Sequence, residues 1–254
     1  MIKTIMFDLS GKVALVTGSS RGIGKAIAIG LADAGADVAI VSRTLADLEK
    51  TAADITRIGR RSLPIAADLG EKDNIDRLVA RTLAEFGRIN ILVNNAAWFM
   101  PGPMLDADEK YWDRYISVDL KSYFFMCQAV GRSMIQQGAG NIINIASVNG
   151  IRPNVNSGVY AICKAGVIMM TKALAKEWGP YNIKVNAIAP GVVETDMSKP
   201  LRDNPERLKQ HLQKIPLGHI IQPGEFVGTA ILLASDAASS ITGQIIAVDS
   251  GESI

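Results

Sequence analysis

Three polar residues have the types and the spacing that acid–base chemistry needs. Tyr160 and Lys164 are four positions apart, and Ser147 lies 13 residues before Tyr160. Residues at i and i+4 share one helix face with Cβ atoms about 5–6 Å apart, so the ammonium would lie near the phenol. A nearby cation favours the phenolate and lowers the pKa of a tyrosine, which suits a general acid–base near neutral pH. Ser147 could donate a hydrogen bond to a carbonyl oxygen and stabilise negative charge there.

The elements around these residues would bring them to one edge of a sheet. Short apolar runs alternate with longer amphipathic segments, as is typical of βαβ units and a mostly parallel sheet. The sequence predicts an α/β fold, a single doubly wound Rossmann-type domain over residues 1–254 with about seven strands flanked by helices. Strands are predicted at 13–17, 37–41, 62–66, 89–94, 141–146, 183–189 and 245–248, and helices at 23–34, 45–58, 71–86, 107–115, 118–137, 159–178 and 224–234. Ligands of such sheets bind beyond the carboxyl ends of the strands, where Ser147 would lie. A chance tyrosine–lysine pair on a helix surface is the alternative. It does not explain why the pair follows a serine at a strand end.

A glycine-rich turn joins the first predicted strand to the first helix. Its glycines are spaced as G-x-x-x-G-x-G, a variant of the dinucleotide fingerprint. Such a turn lets the backbone approach a pyrophosphate, which then lies at the helix N-terminus. The turn residues predicted to bind a cofactor are Gly18, Ser20, Arg21, Gly22, Ile23 and Gly24.

The end of the second strand distinguishes two cofactors. A carboxylate there would bind the ribose 2′-hydroxyl of NAD(H), but the chain has Ser42-Arg43 and no carboxylate until Asp47. Arg43, with Arg21 as a second cation, could pair with the 2′-phosphate of NADP(H), because the guanidinium fork matches phosphate geometry. The alternative is that both arginines are exposed to solvent and bind no ligand. The sequence therefore favours NADP(H) over NAD(H).

Polar residues also follow the third and fourth strands. A carboxylate after the third strand could accept a hydrogen bond from the adenine amino group, or it could cap the helix that begins near Glu71. The amides after the fourth strand suit close contact with a ligand, and a structural role in locking neighbouring loops is compatible with that. These candidates are Asp68, Leu69, Asn94, Asn95 and Ala96.

Composition excludes several classes of protein. The 254 residues include 27 basic and 25 acidic side chains, which argues against a nucleic-acid-binding protein, and 48% hydrophobic residues argue against a disordered chain. Cys127 and Cys163 suggest neither a disulfide scaffold nor a zinc cluster, and no metal site is expected. No uninterrupted apolar run approaches the length of a membrane helix, and Met1–Ser10 does not resemble a signal peptide, so a cytoplasmic protein without a membrane partner is expected.

Together the motifs resemble the short-chain dehydrogenase/reductase family, in its single-domain branch. The resemblance rests on the turn at 17–24, the NNAA block at 94–97, Ser147, Tyr160 with Lys164, and Pro190-Gly191 followed by Thr195. It implies that Tyr160 is the catalytic acid–base, that Lys164 holds the nicotinamide ribose and lowers the pKa of Tyr160, and that Ser147 polarises the carbonyl. Implied cofactor contacts are the glycine turn, Ser42, Arg43, Asp68, Asn95, Tyr160 and Lys164, with Pro190, Gly191, Val193 and Thr195 in the segment that closes over the nicotinamide. The turn and the Ser42-Arg43 pair look most like NADPH-preferring carbonyl reductases and 3-oxoacyl-carrier-protein reductases.

The sequence departs from the family pattern at Asp119. The family usually places an asparagine there, within a V-N-L run, in a proton relay with the lysine. Aspartate keeps the backbone carbonyl but lacks the amide donor. The relay is retained if it uses the carbonyl to hold water, and it is impaired if it needs the side-chain amide. The added charge could raise the pKa of Tyr160. We include Asp119 among the catalytic candidates, in a structural and relay role. Ala97 replaces a usual glycine, and Asp249-Ser250-Gly251 replaces a frequent D-G-G.

The substrate is predicted to be a small ketone or secondary alcohol. Trp98, Val148, Asn149 and Met197 are the candidate pocket residues, although Trp98 is equally well explained as a core residue. The irregular segment at about 195–216 is a candidate lid. The resemblance implies a homotetramer or a dimer, with the helices from Val118 and Val159 at the interfaces.

The predicted function is an NADP-dependent oxidoreductase that interconverts a ketone and a secondary alcohol by hydride transfer, with Tyr160 as the acid–base. A 3-oxoacyl-thioester reductase is an alternative within this class. A nucleotide-binding sensor or scaffold without turnover, and a methyltransferase, are alternatives from other classes, but neither explains why Ser147, Tyr160 and Lys164 occur together.

Overall fold

Seven strands form the centre of the computed structural model, which describes residues 6–254. They are β1 (Val13–Thr17), β2 (Asp37–Ser42), β3 (Ser62–Ala66), β4 (Ile91–Asn94), β5 (Gly140–Ile145), β6 (Ile183–Pro190) and β7 (Ile245–Val248). All pair in parallel in the order β3-β2-β1-β4-β5-β6-β7, so the predicted doubly wound α/β fold is confirmed. The order reverses between β1 and β4, which is where such sheets bind ligands. Residues 1–5 lie outside the described residues. They belong to the segment Met1–Ser10, for which the sequence predicts no signal peptide.

Nine α-helical segments surround this sheet in the described part of the chain. They are α1 (Gly22–Asp33), α2 (Leu45–Arg57), α3 (Lys72–Phe86), α4 (Glu109–Tyr115), α5 (Ser122–Gln137), α6 (Gly158–Trp178), α7 (Lys199–Arg202), α8 (Pro205–Leu212) and α9 (Val227–Ala234). The segment expected to be irregular therefore contains α7 and α8. The predicted helix at 224–234 begins instead as a 3-10 turn, Pro223–Phe226.

The sheet is buried on both faces because alternate strand residues enter different cores. In β1, Val16 packs with α1, α2 and α9, whereas Leu15 packs with α3, α5 and α6. Both side chains have no exposed surface. Strands with two buried faces read as continuous apolar runs, which is why the sequence revealed them.

The region between α4 and α5 differs from the prediction of two separate helices. A π-helical segment, Ile116–Lys121, joins α4 to α5 in one continuous helix, and Asp119 lies within it. Segments of π-helix are rare and frequent at functional sites. Here the wider turn accompanies a side chain that is fully buried at Asp119.

The longest helix, α6, is also strongly apolar. With its following 3-10 turn, Gly158–Tyr181 has the length and composition of a membrane span, and half of its apolar stretch is buried inside the protein. That burial is the pattern of a core helix. α6 therefore presents its N-terminal turns, with Tyr160 and Lys164, to the carboxyl end of β5.

Candidate active site

The turn after β1 has a shape that only glycines allow. Gly18 and Gly22 have φ angles of 63° and 58°, in the left-handed region. A Cβ on Gly24 would lie 2.3 Å from Nδ2 of Asn95 and 2.4 Å from the Gly18 carbonyl oxygen. The Asn95 side chain donates hydrogen bonds of 3.0 Å to the carbonyl oxygens of Thr17 and Gly18. Asn95 thus holds the turn from β4, which places it at the predicted cofactor edge in a structural role.

This turn fits the pyrophosphate of a dinucleotide. Arg21 is the N-cap of α1, its side chain makes no capping hydrogen bond, and the first helical turn holds no acidic residue. The N–H groups that begin a helix need partners, and an anion can supply them. The glycines leave room for that anion beside the backbone.

The two arginines expected to recognise a 2′-phosphate have different surroundings. Arg43 is exposed at the end of β2 and makes no ion pair with residues 6–254. Arg21 is paired with Asp196, with 2.6 Å between Nη1 and Oδ2, and both side chains are mostly exposed. Ser42 donates to the carbonyl oxygen of Thr44. Arg43 is therefore available to a phosphate, and Arg21 is engaged elsewhere.

Two further cofactor candidates make hydrogen bonds within the protein. The Asn94 side chain is buried and donates to Oδ1 of Asn144 at 2.9 Å, so it joins β4 to β5 in the core. Asp68 accepts from the Gly70 N–H at 2.9 Å and lies 3.9 Å from Arg114. It does not cap α3, whose N-cap is Glu71, so the capping alternative is wrong.

Ser147 and Tyr160 are brought together by a tight contact between a turn and a helix. Ser147 follows β5, and its hydroxyl accepts from the Asn149 N–H at 3.1 Å in the turn Val148–Gly150. A Cβ on Gly150 would lie 2.6 Å from the backbone carbon of Lys164, so this turn lies directly on α6. The ring of Tyr160 packs edge-on against Phe99, with centroids 5.1 Å apart. The Ser147 hydroxyl acts to lower the pKa of the phenol, against the larger effect of burial.

The Lys164 ammonium lies beneath this pair and is 1% exposed. Nζ donates to the Ile145 carbonyl oxygen at 3.1 Å and to the Tyr123 hydroxyl at 3.3 Å. It also lies 3.5 Å from Oδ1 of Asp119 and 5.5 Å from the Tyr160 ring centroid. The i, i+4 spacing therefore brings lysine and tyrosine together as expected, but the ammonium is directed toward Asp119.

The pKa of Tyr160 differs from the sequence-based prediction. Burial raises it well above the ordinary value, and the Asp119 charge raises it further. The net shift is therefore opposite to the lowering that the sequence analysis expected from Lys164, because burial dominates it. The direction that the sequence predicts for the effect of the Asp119 charge is confirmed.

Residues that the sequence analysis did not select complete the site. Tyr123 accepts from Lys164 and donates to the Ile145 carbonyl oxygen at 3.2 Å. The Tyr115 hydroxyl accepts from the Met100 N–H at 2.9 Å, which fixes the segment after β4. Tyr115, Asp119 and Tyr123 are spaced by four residues, and this one-face periodicity could have identified them.

The segment after β6 lies over the glycine turn. A Cβ on Gly22 would meet Cγ2 of Thr195 at 3.1 Å, so Thr195 is next to the predicted phosphate site. Pro190 and Val193 are buried, and the Val192 N–H donates to Glu252 at 3.3 Å. No motif in the sequence pointed to Glu252.

Three candidate substrate residues lie near Ser147 or Tyr160: Trp98 packs in one cluster with Tyr160, and Val148 and Asn149 directly follow Ser147. Trp98 is half-buried and packs against Tyr115, with centroids 4.7 Å apart, so its ring is at least partly a packing group. The remaining candidates differ in exposure, with Val148 buried, Asn149 half-buried and Met197 44% exposed.

Comparisons with known proteins agree with this geometry. The family model described as Enoyl-(Acyl carrier protein) reductase matches residues 18–253. The chain is 41% identical over 246 residues to 2-dehydro-3-deoxy-D-gluconate 5-dehydrogenase of Dickeya dadantii, covering 96% of each chain. It is 39% identical over 244 residues to the 3-oxoacyl-[acyl-carrier-protein] reductase FabG of Thermotoga maritima, covering 96% of this chain and 98% of that one. The chain belongs to the short-chain dehydrogenase/reductase family.

A solved structure supports the same conclusion. The crystal structure of a gluconate 5-dehydrogenase from Burkholderia cenocepacia, in complex with NADP and tartrate, is 35% identical, with a TM-score of 0.94 and 98% coverage of each chain. As a member of the short-chain dehydrogenase/reductase family, the protein is an oxidoreductase acting on CH–OH or C=O groups.

Proposed function

We propose that the protein interconverts a secondary alcohol and a ketone of a polyhydroxy carboxylate, with NADP(H) preferred over NAD(H). The observation that carries this proposal is the convergence of Ser147, Tyr160 and Lys164 beside a glycine turn whose nearby Arg43 is unpaired within residues 6–254. Relatives named for sugar-acid substrates support the substrate class, and a relative in complex with NADP supports the cofactor.

The residues would divide the chemistry as follows. Bound NADP(H) supplies or accepts the hydride. In reduction, the Tyr160 hydroxyl donates its proton to the carbonyl oxygen, and Ser147 donates a hydrogen bond to the same atom. A high pKa of Tyr160 keeps the phenol protonated for this role. Lys164 holds its charge beneath the phenol and, as in its family, would contact the nicotinamide ribose.

A cation near the Ser147 turn supports an acidic substrate. Arg152 follows this turn, is exposed, and forms no ion pair with residues 6–254. Arg202, the other arginine near the candidate lid, bonds to Glu194, Thr195 and Ser198. Arg152 is therefore the better placed of the two to bind a carboxylate, for which the guanidinium geometry is suited.

A second candidate is a 3-oxoacyl-thioester reductase. Relatives that bear this name support it. Exposed apolar side chains at Met104, Ile151 and Val155 support it as well, because an acyl chain would bury them.

Turnover assays decide between these functions. We expect NADPH-dependent reduction of keto-sugar acids, followed by nicotinamide absorbance, to exceed reduction of 3-oxoacyl thioesters and of neutral ketones. Tyr160→Phe should abolish turnover and retain NADPH binding, because the other cofactor contacts remain, and this result would exclude a non-catalytic sensor. Turnover limited to 3-oxoacyl thioesters would replace the sugar-acid proposal, and NADPH binding without turnover of any of these substrates would contradict both candidate functions.

The assembly and the compartment belong to the same proposal. We infer a homotetramer or a dimer, because Phe124 on α5 and Met169 on α6 are 44% and 63% exposed. We also propose a cytoplasmic location, which rests on the sequence-based expectation alone. Phe125 and Met170 pack inside the protein instead. Light scattering of the purified protein, with Phe124→Ser as the variant, measures the assembly.

A further inference from the structure

Asp119 lies between the catalytic lysine and the segment that follows β4. It is fully buried within the π-helical segment. Its Oδ1 lies 3.5 Å from Nζ of Lys164, and its Oδ2 accepts from the Trp98 N–H at 3.0 Å. One side chain therefore contacts the machinery of proton transfer and the proposed wall of the substrate pocket.

The two neighbours of this side chain are both hydrogen-bond donors. A carboxylate presents acceptors on both oxygens, whereas an amide has one oxygen and one NH₂ donor. An asparagine here would direct its NH₂ either at an ammonium or at a backbone N–H. Within residues 6–254, Oδ1 has no hydrogen-bond partner and faces the ammonium only as an ion pair. Burial opposes the charge of Asp119, whereas Lys164 and the Trp98 N–H favour it.

The other titratable groups around Asp119 come from three helical elements. α6 supplies Lys164, Tyr160 and Cys163, α5 supplies Tyr123, and α4 supplies Tyr115 and Arg114. Lys164 is the buried cation of this group, and Arg114 acts from the partly exposed side. Burial lowers the pKa of Lys164, and the Asp119 charge opposes that change.

We propose that Asp119 is a positioning residue whose side chain holds the Lys164 ammonium and the Trp98 backbone in one arrangement. Because this ammonium lies 5.5 Å from the Tyr160 ring centroid, the charge of Asp119 also acts on the ionisation of the phenol. This inference rests on the proposed function, because it concerns the same Tyr160 and Lys164. It assigns the departure from the family asparagine a role in setting the pH range of each reaction direction.

The two directions respond to this charge differently. Reduction needs the protonated phenol, so its rate falls at alkaline pH, whereas oxidation needs the phenolate, so its rate falls at acidic pH. Removing a negative charge from the buried site lowers the pH at which the phenol ionises. The alkaline limb of the reduction profile and the acidic limb of the oxidation profile should then both move to lower pH by about one unit. This is the size expected for charges several ångströms apart in a protein interior.

The decisive experiment compares pH profiles of kcat/KM in both directions for the wild type, Asp119→Asn and Asp73→Asn. Asp73 is an exposed acid in the first turn of α3, so its variant controls for a change of one net charge. We expect both limbs to shift only in Asp119→Asn. A uniform loss of rate with unshifted limbs would show a merely structural role and overturn the proposal.

A double-mutant cycle in urea unfolding tests the ion pair without turnover. We expect Lys164→Met to destabilise the wild type more than it destabilises Asp119→Asn, because it leaves a buried carboxylate without its partner. Additive effects would overturn the pairing. If Asp119→Asn does not fold, the free energies of unfolding of Lys164→Met and of the double variant can still be compared. We expect the double variant to be the more stable of the two, and equal or lower stability would count against the proposal.

The two failures are distinguishable. A wild type that turns over none of the tested substrates contradicts the proposed function, and the unfolding cycle then decides on the pair alone. A wild type that turns over with unshifted limbs in Asp119→Asn contradicts only the role of Asp119.

Discussion

Arg21 and Asp196 are 175 residues apart in the chain, yet their side chains form an ion pair of 2.6 Å. Arg21 belongs to the glycine turn, and Asp196 begins the candidate lid. The pair therefore joins the proposed phosphate turn to the start of the candidate lid. Because both side chains are exposed, the pair contributes little to stability, on the order of 1 kcal/mol or less.

Asp196→Asn should tighten NADPH binding more than NADH binding. The substitution frees Arg21 for the 2′-phosphate, which is the group that the two cofactors do not share. We expect the Kd for NADPH to fall by up to about fivefold, with the Kd for NADH unchanged. Fluorescence titration measures both. An equal change for both cofactors would show that the pair acts on the lid and not on the phosphate.

Arg43→Ala should weaken NADPH binding about tenfold or more. A hydrogen bond to a charged group contributes about 1.5–3 kcal/mol, and Arg43 has no competing ion pair within residues 6–254. NADH binding should change little. Arg88→Ala is the matched control, because Arg88 is exposed just before β4. It therefore lies at the amino ends of the strands, away from the predicted cofactor site. Equal weakening of both cofactors would remove Arg43 as the residue that selects NADP(H).

The sequence predicted the sheet well because its signals are local. Each buried strand is a short apolar run, and the glycine turn and the Tyr160–Lys164 spacing each lie within a short stretch of chain. The misses involve contacts distant in sequence. Nothing near Arg21 indicates Asp196, and nothing near Asn94 indicates that its amide bonds to Asn144 in the core.

The electrostatics of the site were predictable only in part. Spacing alone brought Lys164 near the phenol, but the direction of its ammonium depends on Asp119, which lies 45 residues earlier on another element. Burial, which dominates the pKa of Tyr160, follows from packing and not from the local sequence.

Gly24→Ala should abolish dinucleotide binding and destabilise the protein. The new Cβ would lie 2.4 Å from the Gly18 carbonyl oxygen, and backbone cannot move aside as a flexible side chain can. Gly228→Ala is the matched control, since that glycine is exposed in α9 and an added Cβ would meet no atom within 4 Å. It should raise the free energy of unfolding by about 0.5–1 kcal/mol. Urea unfolding and NADPH titration measure both variants, and intact NADPH binding by Gly24→Ala would contradict the assigned turn.

Asn144→Ala should lower the free energy of unfolding by about 2 kcal/mol. Asn144 is fully buried, accepts from Asn94 and donates to Thr171 at 3.0 Å, so its loss leaves polar partners unsatisfied. Asn154→Ala, in an exposed loop, should change stability by less than about 0.5 kcal/mol. Equal urea midpoints for the two variants would show that the buried amide network contributes nothing.

Stability should depend on pH through Asp119. Burial raises the pKa of this carboxyl from 3.8 to about 6, with Lys164 opposing the change. A group whose pKa is raised by folding stabilises the folded protein below its unfolded pKa, and this contribution is lost as pH rises through the folded pKa. From pH 5 to pH 7.5, the wild type should therefore lose about 1 kcal/mol relative to Asp119→Asn, whose amide does not titrate. Urea unfolding of both proteins across that range measures the difference. Parallel pH dependences would mean that Asp119 stays ionised at pH 5, held so by Lys164.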